Sequence, residues 1–378
     1  MQTLYALSQS EVSNFELGKD YMDEKFAPDL NAPERPDYEK LHKQKEHAKK
    51  VYERSFLQSS VIDTEPDPEV KVAVLNARAE FKKQVEKDRK YFRVMLGENV
   101  NSIYERYIKF LMLPYKIAEE AEFNFNKNKN KFIITPEDAL NEIKLKQNKI
   151  VEALALNKHI EAARIKKNIS WKEGEIASIY KDIIRPDKDF REYLMKPSDF
   201  ETDKAFILYL YKTLIFKSKI IDAFFEEGDI YWTEDKSIIK SLVVKTIKEI
   251  QEDKPEEFDL LEISGNWEED QEFYKELYDK TVADEEELEK LVEDKIKNWD
   301  IERLAVTDKI ILKLAIGEMI HFPSIPVKVT INEYIEISKE YSTPKSKQFV
   351  NGVLDKVSEE LVKSGVIKKS GRGLIDNK

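Results

Sequence analysis

The chain has 378 residues, of which 41% are hydrophobic and 36% charged, with only 10 glycines, no cysteine and a formal net charge of −11. That length and hydrophobic share suffice for two or three compact units, and the scarcity of glycine favours helices over sheets. A disulfide framework, a thiol nucleophile and a cysteine metal site are excluded, no apolar run reaches the length of a membrane span, and nothing after Met1 reads as a signal peptide, so a cytoplasmic location is expected.

Met1, Leu4, Tyr5 and Val12 fall at helical spacing and predict a helix over Met1–Val12. Ala27–Pro36 contains three prolines and reads as a linker, followed by a charged helix over Asp37–Phe56 and a second break at Thr64–Pro68. Glu69–Leu96 is predicted as a long helix with Val70, Val74, Ala77, Phe81, Val85 and then Tyr91 or Phe92 on its apolar stripe. Its Lys82, Lys83, Lys87, Arg89, Lys90 and Arg93 form a basic cluster, read either as a solvated helix face or as an RNA-facing patch. Ile103–Ala121 has the composition of core, and the Asn-Lys run Asn124–Lys131 that of a polar loop or a phosphate contact. Further helices are expected over Glu137–Leu156, Trp171–Ile184, Asp203–Phe225 and Thr233–Ile250, the last with Thr233 as its cap. No fixed-period repeat is present, so a solenoid is not expected.

The negative charge is local. Gln251–Asn298 carries 19 acidic and 6 basic residues, Trp299–Lys378 carries 11 and 13, and Met1–Ile250 is balanced at 44 of each sign. RNA contact outside the acidic block is therefore compatible with the overall charge.

In the last eighty residues Leu304–Ile320 is apolar nearly all round, as a helix surrounded by helices should be. Pro323 and Pro326 force a turn at Phe322–Val327. Val329–Tyr341 then carries Tyr334, Ile335 and Ser338 on one stripe. Thr343 and Pro344 look like the cap and first position of a last helix, whose Val350, Val353, Leu354, Val357 and Leu361 share a face. Phe349 lies about 90° from the centre of that face, at its margin, where it either meets a ligand or caps the core. Glu318 is a lone carboxylate on an apolar helix, about 140° from Lys313, and needs a partner such as Arg303 or Lys309.

Catalytic chemistry finds little to work with. The four histidines, His42, His47, His159 and His321, do not cluster, and neither a phosphate-cradling glycine loop nor a dinucleotide fingerprint is present. Asp284–Glu287 reads as a solvated first helical turn. No enzyme, cofactor or metal is expected.

Three runs, RLAVTDKIILKLAIGEM, IPVKVTINEYIEISK and SKQFVNGVLDK, stand in this order at spacings that resemble the C-terminal half of the NusB family of bacterial transcription antitermination factors, and MQTLYALSQ is similar to that family's first helix. The resemblance is loose over 250–298, and between Ser10 and Phe225 it holds only for long bacterial members with a large helical insertion. It implies an all-α fold, a NusB-like orthogonal helical bundle with a long helical insertion after the first helix. The expected organisation is an N-terminal helical region over 1–250, an acidic helical segment over 251–298 and a C-terminal unit with a basic tail over 299–378, the second bundle unit running from about Phe273 to Leu361.

The function implied is antitermination in rRNA transcription, by binding boxA RNA together with NusE, a small-subunit ribosomal protein, within the RNA polymerase antitermination complex. The resemblance places Gln2, Tyr5, Lys345, Ser346 and Phe349 at the RNA and Lys313 and Glu318 at NusE, although Tyr5 read alone is a core residue. The family's arginines upstream of the segment matching Gln2–Tyr5 are not in this sequence. Lys345 stands where short members have an acid, so it is expected to attract phosphate in part of their place, helped by the positive end of its helix. Asn332, Glu333, Asn351 and Gly352 belong to the same motifs and read as capping and close-packing residues. Two other readings stay open: a protein-interaction scaffold without RNA binding, and an RNA-binding module of an RNA-modifying enzyme, although only 22 residues follow Lys356.

Overall fold

The computed structural model describes residues 1–29, 36–129, 140–296 and 305–377. Among these no strand occurs, and the all-α expectation is met. In chain order the helices are α1 Gln2–Lys25, α2 Tyr38–Leu57, the single turn α3 Ser60–Asp63, α4 Pro68–Lys129, α5 Lys149–Leu156, α6 Lys158–Lys167, α7 Glu173–Ser178, α8 Lys188–Met195, α9 Phe200–Tyr209, α10 Lys219–Glu226, α11 Trp232–Glu249, α12 Trp267–Ala283, α13 Glu285–Ile296, α14 Val306–His321, α15 Val327–Tyr341 and α16 Ser346–Lys363. Compact units follow packing, not composition: one joins 1–97 to 271–378, and the other is 98–270.

Several boundaries differ from the sequence expectation. α4 is one helix of 62 residues that runs through Gly97 and Pro114 and on to Lys129. Its start is fixed by Asp67, whose Oδ1 accepts the amides of Glu69 at 2.9 Å and Val70 at 3.3 Å. The Asn-Lys run expected as a loop is helical as far as Lys129, because the apolar turns before it are buried and Asn124 bonds back to the Glu120 carbonyl at 2.9 Å. The remainder of that run, like residues 137–139 and Leu304, lies outside the described residues. The helix expected over Glu137–Leu156 reduces to a 3-10 turn at Glu142–Leu145 and α5, which Asn148 caps. α7 widens into a π-turn at Ile179–Ile184, and α9 into another at Leu210–Ile215, which splits Asp203–Phe225 into α9 and α10. α11 begins one residue before Thr233, which does not cap it, because the fully buried ring of Trp232 belongs to the helix.

Unit 98–270 is built around aromatic rings. Phe110 on α4 lies 4.8 Å from Phe216, 5.1 Å from Phe225 and 5.7 Å from Trp232 by ring centroid. Its buried charges are satisfied locally. Asp203 is fully buried and accepts from the Tyr193 hydroxyl at 2.8 Å, the Lys149 amide at 2.9 Å and Ser198. Arg106 pairs with Asp229 and Asp235 at 2.5 and 2.9 Å.

The other unit has two apolar centres. One, formed by α1–α4, contains Met22, Phe26, Ala48, Val51, Tyr52, Val70 and Val74. Gly18 is required there, because a Cβ at that position would lie 2.2 Å from the Tyr52 hydroxyl. The second contains α13–α16, with Leu288, Val292, Ile311, Leu312, Ile316, Val350, Leu354 and Val357. α1 runs antiparallel to α4: Tyr21 meets Asn76, Ser10 and Asn14 bond Asp88 at 2.6 and 2.7 Å, Glu11 reaches Arg89, and Leu4 shares a cavity wall with Leu96.

Candidate functional site

The C-terminal helices share a closely packed base. α14 buries Ile310, Ile311, Leu312, Leu314, Ala315, Ile316 and Met319, and both α15 and α16 pack on it. α16 starts at Ser346, two residues later than the Thr343–Pro344 signal, because the Ser346 amide bonds the Thr343 carbonyl at 2.9 Å and closes a turn there.

Ser346 was expected at the RNA surface and is instead turned inward at 4% exposure. Its hydroxyl donates to Asp308 on α14 at 2.8 Å and receives the Ser342 hydroxyl at 2.9 Å. A hydroxyl–carboxylate contact under the first turn locks the start of α16 to α14, so Ser346 acts as an anchor. Its neighbours remain outside: Lys345 is exposed, while Phe349, one turn on, is half-buried and packs at the edge of the α13–α16 core. On α1, Gln2 is half-buried, and Tyr5 is 41% exposed while Leu4 beside it packs against that same core. Reading the residues alone would have sunk Tyr5 into the core; packing puts Leu4 there instead. Lys345, Phe349, Gln2 and Tyr5 thus all belong to one compact unit.

The two residues expected to face a protein partner are engaged within the chain. Glu318 is 6% exposed and accepts hydroxyls from Thr330 at 2.7 Å and Tyr334 at 3.0 Å, both on α15. Of the two basic partners expected for it, Lys309 pairs with Glu289 at 3.1 Å, and Arg303 lies outside the described residues. Burial raises the pKa of Glu318 above the usual glutamate value, and the two hydroxyls offset this in part. Lys313 bridges Glu285 and Glu289 on α13 at 3.1 and 3.2 Å. Burial opposes its charge, but the two carboxylates outweigh that and hold its pKa above the usual lysine value. Glu318 nevertheless lines a cavity of about 470 Å³ with Met1, Leu4, Phe273, Leu277 and Val329, and Val329 is 44% exposed.

The motif residues read as caps or close-packing positions do neither. Asn332 and Glu333 are exposed in the middle of α15, and a Cβ on Gly352 would meet no atom within 4 Å. Glu333 lines the cavity around Val329, and nothing in the packing accounts for Asn332 or for a glycine at 352. Asn351 bonds along its own helix, to Asp355 at 2.9 Å.

The basic cluster of α4 divides in two. Arg93 makes a two-pronged contact with Asp279 at 2.6 and 2.8 Å, and Arg89 pairs with Glu285 at 3.2 Å, so both arginines tie α4 to α12 and α13. Lys82, Lys83, Lys87 and Lys90 remain on the solvent side. Among the described residues Lys83 and Lys90 pair only with Glu80 and Glu86 along the helix, between groups that are all more than half exposed, and such pairs are worth about 0.3–0.5 kcal/mol.

Among the described residues no group of three or more His, Asp or Glu side chains could hold a metal ion, and no helix is long and apolar enough to cross a membrane.

The NusB family model matches residues 237–359, from within α11 to within α16. The transcription antitermination protein NusB of Chloroherpeton thalassium is 52% identical over 79 residues, 21% of this chain and 37% of that protein. The protein of that name from Salinibacter ruber is 42% identical over 103 residues, 27% and 64% of the two chains, and that of Koribacter versatilis 47% over 76 residues, 20% and 52%. A solved structure of T. maritima NusB aligns over 42% of this chain and 90% of its own, at 25% identity and a TM-score of 0.24. The chain therefore spans less than two thirds of the length of the curated relatives it matches. The match takes in all three runs that carried the resemblance, and it extends upstream through the acidic segment into α11, while the similarity of Met1–Gln9 lies outside it. Residues 237–359 of this chain are thus similar to the NusB family.

Proposed function

We propose that the chain is a non-catalytic transcription antitermination factor that binds boxA-type single-stranded RNA in rRNA leaders jointly with NusE, the small-subunit ribosomal protein, and so joins the antitermination complex on RNA polymerase. The observation that carries the reading is the anchored start of α16. The buried Ser346–Asp308 contact fixes a helix beginning from which Lys345 and the edge of Phe349 are offered together, in a segment 42–52% identical to proteins described as transcription antitermination factors. A lysine beside free helix amides attracts phosphate, and an aromatic edge offers a base a stacking partner. Gln2 and Tyr5 on α1, in the same compact unit, complete the proposed RNA-binding set. With Lys313 and Glu318 both engaged internally, Glu318 acts toward NusE by holding the wall of the cavity around Val329, which receives an apolar side chain of the partner, and Lys313 acts by fixing α13 to α14.

Titration of labelled boxA RNA with and without NusE tests this. Tight binding only in the presence of NusE supports the reading, and Phe349→Asp should weaken it about tenfold or more, as loss of a stacked base does, with little change in melting temperature. Indifference to RNA in both arms would make the chain a scaffold, and RNA binding that ignores NusE would favour a module of an RNA-modifying enzyme.

A further inference from the structure

We infer that the solvent ridge of α4 formed by Lys83, Lys87, Lys90, Tyr91 and Val94 is a second contact for single-stranded RNA, carrying the strand away from the Tyr5–Phe349 face. The inference rests on the RNA reading above and adds a site to it. At about 100° per residue, Lys83, Lys87, Lys90 and Val94 fall within about 60° of one another, and Tyr91 lies at the edge turned toward α1. The opposite flank of the helix is the one Arg89 and Arg93 use to hold α12 and α13, so the arginines fix the orientation in which the lysines face water.

Three features separate this ridge from an ordinary solvated face. Its aromatic and aliphatic members are uncovered: Tyr91 is 56% and Val94 59% exposed. Among the described residues Lys87 is held by no ion pair, and Lys83 and Lys90 have only exposed partners on their own helix, which a phosphate displaces at small cost. Lysines one helical turn apart beside an exposed ring combine backbone attraction with base stacking, the two components of sequence-tolerant single-strand binding. The ridge is also directed toward the proposed site, since α1 and α4 are antiparallel with Leu4 at the level of Leu96, which brings the Val94 end level with Tyr5. The positive charge along α4 thus stands in a chain that is acidic as a whole.

The test uses the full chain with NusE and two labelled RNAs, boxA alone and boxA followed by an unstructured single-stranded tail. Lys83→Ala/Lys87→Ala/Lys90→Ala should leave boxA binding unchanged, weaken binding of the tailed RNA about tenfold at low salt, and flatten its log–log salt dependence by about 2, the release expected for three single-strand phosphates. Tyr91→Ala should weaken tailed RNA severalfold without changing that slope. Equal affinity and slope for parent and triple variant would overturn the inference while leaving the boxA reading intact. Loss of tailed-RNA binding in the triple variant but not in Phe349→Asp would keep the ridge and overturn the boxA reading, whereas a parent that binds neither RNA overturns both. All four positions are solvent-facing, and an unchanged circular dichroism melt confirms that the variants fold.

Discussion

Unit 98–270 encloses a central aromatic cluster and a buried ion-pair group, whereas the unit made of 1–97 and 271–378 leaves Tyr5, Tyr91 and a row of lysines at its surface. In the former, Phe110 is enclosed by Phe216, Phe225 and Trp232, and Arg106 is taken up by Asp229 and Asp235. Asp235 pays for that enclosure with a pKa pushed up to about 6, chiefly by burial, with Arg106 opposing the shift. In the latter, Tyr5, Tyr91, Lys345 and the α4 lysines are accessible, held from beneath by buried contacts such as Ser346–Asp308. A large segment inserted into a functional helical domain has to satisfy its own apolar surface and its own charges.

The largest expected effect breaks the inserted unit alone. Phe110→Ala removes the ring at the centre of the aromatic cluster and should cost about 3–5 kcal/mol. Urea unfolding followed by tryptophan fluorescence reads it, because Trp171 and Trp232 both touch that cluster. RNA affinity should not change under conditions where the unit stays folded; a parallel loss would show that recognition depends on the inserted core. A smaller effect, on the order of 1–3 kcal/mol from overpacking, is expected in the other unit from Gly18→Ala, whose new methyl meets the buried Tyr52 ring. Thermal melting followed by circular dichroism checks it, and a variant as stable as the parent would mean that α1 and α2 separate at no cost.

The smallest effect concerns Glu318 and its pH dependence. A carboxyl whose folded pKa lies above its unfolded value loses stability as pH rises from 4.5, since the folded state holds the proton longer. Glu318→Gln has no proton to lose. Its melting temperature relative to the parent should therefore improve steadily from acid toward neutral pH. A variant that falls further behind as pH rises would show that the Thr330 and Tyr334 hydroxyls favour the carboxylate by more than burial disfavours it.

Much of this was legible in the residues. The stripe of Val350, Val353, Leu354 and Val357 fixes which side of α16 is buried and leaves Phe349 at the margin, as found. The prolines 323 and 326 bound the turn between α14 and α15. Illegible were the contacts made by groups far apart in sequence. Nothing in the 343–346 run reveals that Asp308, thirty-eight residues away, draws the Ser346 hydroxyl inward and delays the helix. Nor does periodicity distinguish Arg89 and Arg93 from the lysines between and before them, because their acids lie on α12, α13 and α1. The helix expected over Glu69–Leu96 continues past Leu96 for a related reason: burial of the following turns carries α4 onward.

By itself the sequence determined that this protein is helical, which faces of its helices are apolar, and which family its C-terminal segment resembles, since each follows from side-chain type and short-range spacing. Tertiary structure alone decided which charged and aromatic groups face outward. That choice depends on where a complementary group sits after folding: Glu318 found two hydroxyls and was closed in, while Lys87, held by no ion pair among the described residues, was left to the solvent.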